Sequence, residues 1–220
     1  KVDWKTFLEV SQKKSILPFL EPVFRSISLT RQALPSNKAL IGFCGSPWTI
    51  ACYMMQGGKV SSGFSNFNPD LTRSLIQTLN PHLIDFLLGQ IRSGCDAIQI
   101  FDSWASLAPP QSQQEFLWDP LILIINSVRA VYPDVPIIYY GRGVSQFYSN
   151  LLLDVQSLCF GLDQYVDPKW AAQTIQPLAP VQGNLDPLLL VNGAFEKAVD
   201  IILDSFSSKP FVFNLGHGIL

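Results

Sequence analysis

Six short apolar runs, each bounded by glycine or proline, punctuate the chain at 39–45, 97–103, 136–141, 159–166, 180–183 and 211–215. Runs of this length predict strands buried on both faces. Between them the apolar positions recur with helical spacing. A first helix is predicted over 21–34, with Pro22 in its first turn and Val23, Ile27 and Leu34 along one face. Further helices are predicted over 69–93, divided or kinked at Pro81, and over 120–131, 144–158, 168–175 and 192–206.

Strand and helix therefore alternate, which predicts an α/β fold with a parallel sheet covered by helices. Two architectures satisfy that pattern, an open doubly wound sheet and a (β/α)8 TIM barrel. No GxGxxG or GxxxxGK[ST] follows any run, and Gly141-Arg142-Gly143 is too short to replace one. Polar residues close several strands instead: Ser46, Asp102-Ser103, Arg142, Asp163, Asn184 and Asn214 with His217. Reactive groups spread over many strand ends favour the barrel. About six βα units are visible, so the expectation is one domain over 1–220, an incomplete barrel in a fragment of a longer protein.

Composition narrows the function. The 220 residues carry 15 basic and 17 acidic side chains, a formal charge of −2, and 48% are hydrophobic, enough to bury one core. The absence of a basic block argues against nucleic-acid binding. The apolar stretches are too short or too broken to span a bilayer. Cys44, Cys52, Cys95 and Cys159 stand singly, as reduced core thiols would, and the N-terminus has no signal-like run, which together predict a cytoplasmic protein.

Few residues are candidates for chemistry. His82 lies inside a helical pattern and reads as structural. His217 sits where an apolar strand enters Gly216-His217-Gly218; its ring can move a proton near neutral pH or bind an anion, or it can simply cap the strand. Strand alternation puts Gln99, Phe101 and Ser103 on one face and Ile98, Ile100 and Asp102 on the other. Ser103, with no GxSxG elbow around it, reads as a hydrogen-bonding group and not a nucleophile. Asp167-Pro168 and Asp186-Pro187 have the form of helix N-caps. The segment 43–57 reads as strand end, turn and helix start; that start suits an anionic ligand, and Tyr53 adds a phenol. The histidines and cysteines show no metal-ligand spacing, so no metal is expected.

Taken together, the motifs resemble the uroporphyrinogen decarboxylase family. The matching segments are Gly42-Phe-Cys-Gly-Ser-Pro-Trp-Thr49 with Tyr53-Met54, Ile100-Phe-Asp-Ser-Trp-Ala105, Gly161-Leu-Asp163 and Val166-Asp-Pro-Lys169, followed by Gln182-Gly-Asn-Leu-Asp-Pro187 and Asn214-Leu-Gly-His-Gly218. They occur in family order from about Phe24 onward. The resemblance implies a (β/α)8 barrel, homodimeric when complete, of which this chain holds strands 3 to 8. It implies a cofactor-free carboxy-lyase that converts the four acetate side chains of its small-molecule substrate, uroporphyrinogen, to methyls, giving coproporphyrinogen in haem biosynthesis. Carried over position by position, Tyr53, Ser103 and His217 are substrate-binding, with His217 also catalytic, and all three are expected to converge at one barrel mouth.

The family's N-terminal arginines and its pyrrole-binding aspartate have no counterpart in these residues, so the isolated 220-residue chain is expected to be inactive. Where the family commonly has lysine near the fifth strand's end, this chain has Arg142. One rival is a zinc-dependent methyltransferase of the same superfamily, whose His-x-Cys pair and late Cys are lacking here. The other is an inactive fragment or pseudo-enzyme that keeps part of the pocket.

Overall fold

Four helices of the described residues start the same way. A short polar side chain accepts a first-turn N–H, and proline follows at the first helical position: Ser46-Pro47, Asn68-Pro69, Asp167-Pro168 and Asp186-Pro187. The cap satisfies a donor that the helix cannot, and proline's fixed φ suits the first turn. The computed structural model describes residues 3–11, 13–57, 67–155 and 157–219. The chain divides into two compact units, 1–135 and 136–220.

In the first unit, α1 (Trp4–Ser11) and α2 (Leu17–Ala33) precede β1 (Ile41–Gly45), α3 (Pro47–Gln56), α4 (Pro69–Arg92), β2 (Ala97–Asp102) and α5 (Asp119–Val131). β1 and β2 are parallel, with Ile41 opposite Ala97 and Gly45 opposite Phe101. Two expectations need correction. α2 begins at Leu17, so Pro18 takes the first-turn position and Pro22 lies inside the helix. α4 is a single helix through Pro81, because its buried face of Leu75, Ile76, Leu83 and Leu87 offsets one missing backbone bond. His82 is structural: its Nε2 lies 2.9 Å from the Ser11 carbonyl, tying α4 to the end of α1. The core is built on Trp48, whose fully buried indole stacks on Phe116 with centroids 5.8 Å apart.

The second unit contains β3 (Ile137–Gly141), α6 (Tyr148–Asp154), β4 (Leu158–Gly161), α7 (Pro168–Thr174), β5 (Val181–Leu185), α8 (Pro187–Val191), α9 (Glu196–Ser205) and β6 (Phe211–Leu215). β3, β4, β5 and β6 pair in that order, all parallel. Here β4 stops at Gly161 and does not run on to 166, since Asp163 Oδ1 accepts the Tyr165 amide at 2.8 Å and turns the chain. The helix expected over 144–158 is a 3-10 turn followed by the short α6. The one expected over 192–206 starts only at Glu196, behind Gly193 at φ 70°. Tyr148 is fully buried, stacked on Phe160 with centroids 4.2 Å apart.

The cysteines are free. Burial pushes the Cys44 thiol up to about 12 and the Cys159 thiol up to about 11, so neither is a nucleophile at neutral pH. Cys52 is also raised, first by burial and then by the negative charge of Asp102.

Among the described residues, no further strand lies beyond β1 in the first unit or beyond β6 in the second. Both strands present apolar side chains to solvent, with Phe43 61% and Val212 54% exposed. Unpaired apolar edges template association. The 220-residue chain on its own should therefore elute larger than a monomer in size-exclusion chromatography with light scattering. Ile41→Lys with Val212→Lys should shift it toward the monomer. A wild-type monomer at tens of micromolar would refute this.

Candidate functional site

The first unit carries Tyr53 and Ser103 on two segments that are braced together. Asp102, the last residue of β2, points to the buried face, and its Oδ1 accepts the Thr49 hydroxyl at 2.6 Å. That same Thr49 oxygen accepts the Trp104 amide at 3.2 Å, and the Trp48 indole N–H donates to the Trp104 carbonyl at 2.8 Å. Three bonds thus fix the turn after β2 against the start of α3. One helical turn further on, the Tyr53 ring meets Trp104 edge-on, with centroids 6.1 Å apart. Tyr53 is 40% exposed, and the half-buried Ser103 lies between Asp102 and Trp104. Tyr53 and Ser103 are therefore brought together through Trp104, each with a hydroxyl able to donate to an anion.

Alternation expected Asp102 and Ser103 on opposite faces; β2 ends at Asp102, which is buried, and Ser103 lies in the turn that follows, half-buried. Sequence reasoning missed what Asp102 does. A carboxylate facing a helix one strand-length away was the available signal, but its partner Thr49 is 53 residues distant. The anion-binding helix start is partly used up: Ser46 Oγ accepts the Thr49 amide at 3.0 Å, and Pro47 has no N–H. Phe101 of β2 meets Phe43 of β1 edge-on at 6.0 Å, giving this pair of strands an apolar face.

In the second unit His217 follows β6. Its neighbour Gly216 is buried, packed so closely on the Gln164 backbone that a Cβ would collide with it. The Gly216 carbonyl accepts the Tyr140 hydroxyl at 2.9 Å. Burial, then the negative charge of Asp163, pushes the Tyr140 phenol up, so it stays a neutral donor. His217 itself is half-buried, with Nδ1 3.2 Å from the Gly218 carbonyl. A carbonyl only accepts, so this contact is a hydrogen bond when Nδ1 carries the proton, which makes Nε2 the ring's acceptor.

Asp163 and Asn184 hold the neighbouring strand ends. Asp163 is buried, its oxygens accepting from Gly143 N at 2.7 Å and Tyr165 N at 2.8 Å. The Asn184 amide donates to the carbonyls of Asp163 and Val166. Asp167 and Asp186 are helix caps, accepting from Trp170 N at 2.8 Å and Leu188 N at 2.9 Å. Among the described residues no group of three or more His, Cys, Asp or Glu side chains is placed to hold a metal ion. No helix among them is long and apolar enough to cross a membrane.

Comparison with known proteins gives this geometry a family. The chain is 40% identical over 208 residues to uroporphyrinogen decarboxylase of Rhodospirillum rubrum, which covers 91% of this chain and 60% of that one. It is 37% identical over 219 residues to the Agrobacterium fabrum protein of the same name, covering 96% and 63%. It thus spans about three-fifths of the length of these curated relatives. A solved methyltransferase from Methanosarcina mazei shares the fold, with a TM-score of 0.69 over 90% of this chain and 59% of its own, at 17% identity. The methyltransferase likeness is one of fold alone. The uroporphyrinogen decarboxylase family model matches residues 3–220, across both units. The chain belongs to the uroporphyrinogen decarboxylase family, whose fold is the (β/α)8 barrel.

Proposed function

We propose that the protein carrying this chain removes carbon dioxide from the four acetate side chains of uroporphyrinogen, leaving methyl groups and yielding coproporphyrinogen. The observation that supports this most is the family match over residues 3–220. Consistent with it, Tyr53, Ser103 and His217 each lie beyond a strand's C-terminal end in their own unit, where barrel enzymes gather reactive groups. Each step consumes one proton: the pyrrole ring is protonated and becomes an electron sink, the acetate carboxylate leaves as carbon dioxide, and the methylene carbon regains a proton as the ring loses its own. Such chemistry needs placed donors more than a redox group.

In this reading Tyr53 and Ser103 donate hydrogen bonds to substrate carboxylates, Phe43 and Phe101 flank an apolar part of the macrocycle, and His217 binds a carboxylate and moves a proton through Nε2. The family resemblance further supports a homodimer, a cytoplasmic location and catalysis without a cofactor. Charge-assisted hydrogen bonds are worth enough that Tyr53→Phe or Ser103→Ala should raise KM for uroporphyrinogen about tenfold. Steady-state kinetics on protein expressed from its native gene would check this. An unchanged KM in both variants would remove the two residues from the site.

A further inference from the structure

Resting on the porphyrinogen reading, we propose that Arg142 is an additional carboxylate-binding residue of the site, a fixed cation for the many-carboxylate substrate. Basic residues are scarce in the second unit: Arg142, Lys169, Lys197 and Lys209 are all it has. Lys169 lies on α7 and Lys197 on α9, while Lys209 precedes the start of β6, where its ammonium reaches the Pro177 carbonyl at 3.5 Å. Arg142 alone follows a strand's C-terminal end, the end that also carries His217 on β6.

The segment that bears Arg142 is held on both sides. Before it, the Tyr148 hydroxyl accepts the Gly141 amide at 2.8 Å and faces the carbonyls of Gly141 and Gly161, both at 3.1 Å. After it, Gly143 takes φ 73°, and its amide is bound by the buried Asp163 carboxylate. The same carboxylate holds Tyr165, and the Arg142 guanidinium rests over the Tyr165 ring, 5.8 Å from its centroid. The nearby carboxylate of Asp163 is thus occupied by backbone amides. Among the described residues, Arg142 forms no ion pair. A half-buried guanidinium, steadied by an aromatic face and held in no ion pair among the described residues, keeps its fork of donors for an outside carboxylate, which it grips in bidentate fashion.

The test is equilibrium binding to the protein expressed from its native gene, using two probes: uroporphyrin, followed by fluorescence, and benzene-1,2,4,5-tetracarboxylate, followed by calorimetry. The expected result is that Arg142→Gln weakens uroporphyrin binding about tenfold while Arg142→Lys weakens it only about threefold, the value of a charged hydrogen bond against a retained point charge. Circular dichroism melts of both variants should match the wild type, since the aromatic ring beneath the side chain is itself exposed and no ion pair is lost among the described residues. If the chain binds the tetracarboxylate in an Arg142-dependent way but not uroporphyrin, the carboxylate site stands and the porphyrinogen reading fails. Binding that is equal in wild type and Arg142→Gln, or absent for both probes, overturns the proposal.

Discussion

Replacing His217 by asparagine should lower turnover of uroporphyrinogen about a hundredfold, within the range by which a placed general acid–base contributes to catalysis. The fold should be indifferent, because the ring is half-buried and its hydrogen bond runs only to the carbonyl of the adjacent Gly218 among the described residues. Asparagine keeps a donor of similar reach but cannot carry a proton, so kcat should fall much more than KM rises. His217→Ala, which also loses the donor, should raise KM as well. A thermal melt run beside the kinetics separates the two effects. Turnover unchanged in His217→Asn would leave the Gly216-His217-Gly218 segment as a turn and nothing more.

The largest stability effect should come from Trp48→Ala. The indole is fully buried and stacked on Phe116, and removal of such a side chain costs about 3–5 kcal/mol. The substitution also frees the Trp104 carbonyl, one of the three bonds that hold the turn carrying Ser103 against α3. Activity should therefore fall even at temperatures where the variant is folded. Trp48→Phe keeps most of the volume and loses the single hydrogen bond, so its cost should be near 1 kcal/mol plus a small packing loss. Urea unfolding of the two variants would measure both, and a loss below about 1.5 kcal/mol for Trp48→Ala would show that the core is not built around this residue.

Most of the strands were legible because β1 to β4 and β6 are short and mainly apolar between glycine and proline boundaries, whereas β5, Val-Gln-Gly-Asn-Leu, was placed by its flanking Pro180 and Gly183. The misplaced ends have local causes that periodicity does not carry. β4 ends early because one aspartate captures the Tyr165 amide, and α4 survives Pro81 because its buried face outweighs one lost bond. At the proposed site, Tyr53, Ser103 and His217 are candidates on motif resemblance and strand position. The brace from Asp102 to Thr49 and the clamp of Asp163 on Gly143 were not, since each joins residues 20 or more positions apart through side chains that alternation alone marks only as buried or exposed.

The central claim is that this family member cleaves acetate carboxylates and no others. Protein expressed from its native gene, incubated anaerobically with uroporphyrinogen, should release four molecules of carbon dioxide per macrocycle, one for each acetate. Oxidised samples should show porphyrins with seven, six, five and then four carboxylates in succession, the last retaining all four propionates. Macrocycles that keep all eight carboxylates, or that lose a propionate in place of an acetate, would contradict the account.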